Sequence, residues 1–164
     1  MITEQEQEKL RFLSDTELYP QAVQLMRGIA RELPQKQTNG LLNVSLANTY
    51  EELQGFVNHQ RDRKTWPAKE LHIPAFYRAL GPKLEEIGKK YIPLIMKARA
   101  EQPSREDVRT LKMLLAREFI QHVLAENAYM GAIRAFQNTD RDNTRDQGRP
   151  QGSYRGPATR QGRT

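Results

Sequence analysis

Few side chains in this sequence could carry proton or metal chemistry. Of three histidines, His59, His72 and His122, only His122 has carboxylates at helical spacing, with Glu118 four residues before it and Glu126 four after. That spacing sets all three on one face of a helix. The trio suits an acid–base or metal-holding role, although such a pattern is more often the polar edge of a buried helix. Other catalytic signatures are missing from the sequence. There is no cysteine, hence no thiolate nucleophile, thiolate metal site or disulfide. No glycine-rich phosphate loop, nucleophile elbow or His-Glu-x-x-His pattern occurs. Asp140 and Asp142 alternate with arginine in a polar tail, which cannot preorganise a ligand set. The expectation is a protein that is not an enzyme and holds no cofactor or metal.

Binding chemistry is better represented. Arg61, Arg63, Lys64 and Trp66 fall together, with His59 and Gln60 leading in. Three cations beside an aromatic ring suit a phosphate track with a stacked base. The plainer reading is a solvated helix end, where cations also meet the C-terminal dipole, with Trp66 as a packing residue. Arg105, Arg109 and Lys112 make a basic ridge at steps of four and three, and Arg27 and Arg31 make a shorter one.

The elements that must position these residues read as helices. Asp15 or Thr16 can cap a first helix, with Pro20 in its opening turn. Leu18, Ala22, Leu25, Met26, Ile29, Ala30 and Leu33 then recur at helical steps until Pro34. A second helix is expected from Thr38 or Asn39 through Leu42, Leu46, Tyr50, Leu53 and Val57, and the Thr49/Glu52 capping-box spacing predicts a possible break. Residues 67–74 form a loop. A third helix starts at Pro74 and carries Phe76, Tyr77, Leu80, Leu84, Ile87 and Tyr91, with a kink or restart expected at Gly81-Pro82. Ser104, boxed by Asp107, opens a last helix from about Arg105 to Phe136. Its two adjacent stripes, Val108/Leu111/Leu115/Phe119/Val123 and Met113/Ala116/Ile120/Leu124, mark the central element of a bundle. No period-two strand of useful length appears.

The expected fold is therefore all-α: a compact bundle of about five helices with a long C-terminal helix and a disordered Arg/Gly-rich tail. Residues 1–15 are a polar lead, 16–136 the bundle, and 137–164 the tail. The 164 residues suffice for a core without staples. Hydrophobic content of 37% and a mean hydropathy of -0.80 leave no stretch able to span a membrane. The acidic opening residues do not resemble a signal peptide, and the lack of cysteine fits a reducing, cytoplasmic setting. The net charge is +6, which invites a polyanionic partner. Residues 137–164 carry six Arg and three Asp, so half of that excess sits in the tail.

Three segments, in order, resemble a known family. They are Thr38-Asn-Gly-Leu-Leu42, Phe76-Tyr-Arg-Ala-Leu-Gly-Pro-Lys-Leu84, and Arg117-Glu-Phe-Ile-Gln-His-Val-Leu-Ala-Glu-Asn-Ala-Tyr129. Over residues 22–130 the chain resembles the small helical subunit of type III CRISPR effector complexes, the Csm type above all, with the Cmr-type small subunit a close rival. It departs from the pattern at Gly40 and Leu41, and at Met130 and Gly131. The resemblance implies a non-catalytic subunit of a ribonucleoprotein filament in antiviral defence. Copies of it stack, touch the backbone of the guide RNA and target RNA, and bridge the large and backbone subunits. Lys36, Asn39, Arg78 and Lys83, in or beside these segments, join Arg61, Arg63 and Lys64 as candidate RNA-binding residues. A second reading is a stand-alone RNA chaperone or nucleic-acid-binding regulator using the Arg-rich tail. That protein would bind tightly alone, whereas a filament subunit binds weakly alone and gains through its neighbours.

Overall fold

A computed structural model describes residues 1–47, 49–99 and 101–146. Every regular element among them is helical, and no helix is long and apolar enough to cross a membrane. The first rod joins helix α1 (Glu4–Leu13) to helix α2 (Tyr19–Ile29) through a π-helical turn at Ser14–Leu18. Thus the polar lead expected at residues 1–15 is mostly helix, capped by a reciprocal box between Thr3 and Glu6. No new helix starts at Asp15 or Thr16. The Thr16 hydroxyl instead donates to the Phe12 carbonyl at 2.7 Å.

The wide turn has a geometric reason. Glu6, Leu10, Ser14, Leu18, Ala22 and Met26 are all buried, at a strict spacing of four. An α-helix has 3.6 residues per turn, so a repeat of four drifts around its surface. A π turn absorbs that drift and keeps the stripe facing inward. It also accommodates Pro20, which has no N–H to give: the Tyr19 N–H reaches back five residues to the Ser14 carbonyl. The rod ends at Ala30, the one non-glycine residue with positive φ (57°) among the described residues.

Helix α3 (Gln35–Ala47) begins directly after Pro34, three residues before the expected start. The break at Thr49 is real. Thr49 and Glu52 form a reciprocal capping box, and helix α4 (Tyr50–Asp62) starts there. The loop that follows contains one 3₁₀ turn, Ala68–Glu70.

Helix α5 (His72–Met96) runs without a restart through Pro82 and Pro93. Both prolines are exposed, so the carbonyls they leave unpaired, at Arg78 and Lys89, lie on the solvent side, where water can satisfy them. The opposite face carries Phe76, Tyr77, Leu80, Leu84, Ile87, Tyr91 and Ile95, each buried. Burial of that stripe outweighs the two missing backbone hydrogen bonds. Helix α6 (Arg105–Asp146) opens as expected, with the Asp107 N–H on the Ser104 hydroxyl at 3.0 Å. The Asp107 carboxylate does not close the box. It pairs with Arg99 at 2.6 Å.

The chain divides into two compact units, Met1–Gly131 and Ala132–Thr164. In the first, Leu111, Leu115, Phe119, Ile120 and Val123 of α6 are fully buried, as the two stripes required. Polar contacts fix how the helices meet. Arg117 donates to the Ser45 and Leu46 carbonyls at 3.1 and 3.3 Å, satisfying the end of α3. Lys112 reaches Glu85 at 3.0 Å while lying over the Tyr50 ring at 4.2 Å, and Tyr50 and Gln54 also donate to Glu85. Burial works against ionisation of Glu85, but the Lys112 ammonium and the Tyr50 hydroxyl bring its carboxyl below the usual range.

Of the second unit, residues 132–146 are described and are helical. The helix therefore does not stop at Phe136. Adding residues to an existing helix avoids the nucleation penalty, and the first helix breakers beyond are Gly148 and Pro150. The rest of the tail, expected to be disordered, lies outside the described residues.

Candidate nucleic-acid interface

Long-range contacts gather the end of α2, the start of α3, the end of α4 and the start of α5. Arg31 donates to the Lys69 carbonyl at 3.0 Å, tying α2 to the 3₁₀ turn. The His72 Nε2 meets the Glu32 carbonyl at 3.1 Å, tying α2 to α5. A carbonyl only accepts, so Nε2 carries the proton. The Tyr77 hydroxyl donates to Gln37 at 3.0 Å, tying α5 to α3, and burial pushes that phenol well above its usual range. Asn127 of α6 clasps the turn after α2. Its Oδ1 accepts from the Leu33 N–H at 2.6 Å, and its amide donates to the Leu33 carbonyl at 3.3 Å.

This arrangement polarises the charge of the fold. Residues 27–39 and 60–78 hold eight Lys and Arg against three Asp and Glu. The remainder of the Met1–Gly131 unit holds eleven against fourteen. A nearly balanced body thus carries a concentrated basic end, the footprint expected for a polyanion partner.

The candidate residues meet different fates. Arg61 is held by its neighbour Asp62 through two contacts of 2.8 and 2.7 Å, and that hydrogen bonding raises the guanidinium's pKa. Asp62 is lowered chiefly by Arg61, and the charge of Arg78 on α5 lowers it further. Arg63 ends α4 in an extended conformation, and its guanidinium lies over the Trp66 ring at 4.9 Å. Lys64 is exposed and makes no hydrogen bond or ion pair with any described residue. Lys36 and Asn39 share an exposed face at the start of α3. Lys83 pairs with Glu86 at 2.8 Å.

Sequence reading missed Lys69 and gave Arg31 only to a solvated ridge. No local signal marks that contact, because the two residues lie 38 positions apart. Trp66 is partly buried against the core, its indole N–H donating to the Gln60 carbonyl at 3.2 Å. One face of its ring is covered by Arg63. The Glu118/His122 pair packs against the π turn, where the Ser14 hydroxyl lies 2.9 Å from Glu118 and 2.8 Å from His122 Nε2. The Tyr19 ring meets His122 edge-on. This is a half-buried polar joint between two helices, and no metal-holding cluster occurs among the described residues.

No family model, curated protein or solved structure matches the chain. Fold and site together define an all-α helical bundle whose basic charge is gathered at one end.

Proposed function

We propose that this protein is a non-catalytic, RNA-binding subunit of a ribonucleoprotein assembly, of the kind its resemblance to the small subunit of type III CRISPR effector complexes implies. In that role, copies of it line the guide–target duplex beside the large and backbone subunits. The observation that carries the reading is the basic end: eight cations against three acids on segments joined by long-range contacts. Such a surface holds a phosphate backbone without reading bases. The mild excess on the body as a whole gives weak binding alone, which a row of subunits raises through effective concentration.

Arg63→Glu/Lys64→Glu tests this against Lys89→Glu/Lys97→Glu, two exposed cations outside the basic segments. Affinity for RNA duplexes of unrelated sequence is measured at several salt concentrations. The first double variant should weaken all duplexes alike and reduce the slope of log affinity against log salt by roughly 1.4–1.8, the value for two phosphate contacts. The second should change little. Equal effects from both, or sequence-selective binding insensitive to salt, would refute the assignment. The latter would favour a stand-alone regulator.

A further inference from the structure

We propose that Arg63 and Trp66 form a stacking shelf for one unpaired RNA base, with Arg63 supplying the open plane. The inference rests on the RNA-binding reading above and specifies what the basic end takes: an extruded or terminal nucleotide rather than paired backbone alone.

The shelf is built in layers. The Trp66 indole is fixed below by packing against the core and on its edge by the hydrogen bond to the Gln60 carbonyl. The Arg63 guanidinium covers the ring, and its Nε donates to the Thr65 hydroxyl at 3.2 Å. The guanidinium is therefore held against the ring and anchored at one edge. Arg63 is exposed, so the second face is open, and its terminal nitrogens have no partner among the described residues. A flat cation already held in place loses little freedom when a base settles on it. Arginine planes and aromatic rings are the usual platforms for unpaired bases, and every base has a π face, so the shelf is tolerant of sequence. The free Nη groups and the adjacent Lys64 ammonium stand ready for the flanking phosphates. The bases of a continuous duplex are stacked on one another and offer no free face. Only an unpaired nucleotide can use the shelf.

The experiment uses fluorescein-labelled ten-nucleotide RNAs, oligouridine and an abasic strand of equal charge, titrated by anisotropy with the full chain. Trp66 is the single tryptophan, so its emission reports occupancy directly. Oligouridine should bind roughly 5-fold or more tighter than the abasic strand, the lower end of what one stacked base contributes, and should change the Trp66 emission. Arg63→Lys keeps the charge and removes the plane. It should bring oligouridine down to the abasic level, while Lys64→Ala weakens both strands together. Equal affinity of the parent chain for both strands overturns the shelf and leaves backbone binding standing. A preference that survives Arg63→Lys also overturns it, since the base then stacks elsewhere. If neither strand nor an RNA duplex binds, the RNA-binding reading fails, and the shelf with it.

Discussion

Glu6 sits at the point where the first rod meets the far ends of α5 and α6, and its carboxylate makes a measurable link between pH and stability. Its side chain is 4% exposed. Its oxygens accept from Arg99 Nε at 2.6 Å and Nη2 at 2.9 Å, and from the Thr3 N–H at 2.8 Å. The Arg99 hydrogen bonds outweigh the opposing effect of burial and bring the carboxyl from 4.5 down to about 2. The folded pKa is therefore below the unfolded one. The stabilisation is fully present above about pH 4.5 and is lost as pH falls toward 2. Taken whole, a shift of this size corresponds to about 3 kcal/mol. Arg99 is 18% exposed, and solvent screening of a pair so near the surface reduces the figure to ~1–2 kcal/mol. Glu6→Gln isolates the charge, because glutamine still serves the capping box with Thr3. Urea melts of both proteins at pH 7, 5, 4, 3 and 2 supply the measurement. The variant should be less stable by ~1–2 kcal/mol at neutral pH, and the two curves should converge between pH 4.5 and 2. A gap that is absent at pH 7, or constant across the series, would refute the reasoning.

Two further predictions concern the turn after α2. Asn127→Ala leaves the Leu33 N–H and carbonyl without their partner in a buried site, and should cost about 1–3 kcal/mol in a denaturant melt; an unchanged midpoint would mean that water replaces the clasp without penalty. Ala30→Gly relieves the left-handed residue that ends the first rod and, because Ala30 is exposed, removes no packing. It should raise stability by about 0.5–1 kcal/mol and the Tm by roughly 1–4 °C, read by circular dichroism; a lower Tm would contradict the strain argument.

Local pattern was enough for the helical class, the buried stripes of α5 and α6, and the break at Thr49, because periodicity and capping act over three or four neighbours. It misjudged places where burial overrides local preference. Gly81-Pro82 read as a kink or restart, yet a buried stripe on the far face carries α5 through Pro82, and through Pro93 after it, as one helix. Residues 1–15 read as a polar lead outside the bundle because the buried Glu6 and Ser14 look like surface residues until Arg99, Glu118 and His122 arrive from positions about a hundred residues away. The candidate site divides in the same way. Arg61, Arg63, Lys64 and Trp66 were visible as neighbours in the chain. The link from Arg31 to the Lys69 carbonyl, and the action of the Arg78 charge on Asp62, depend on how the helix ends meet. Charge composition is additive along the sequence, whereas charge position is set by packing, and only the tertiary structure converts a balanced body into one with a basic end.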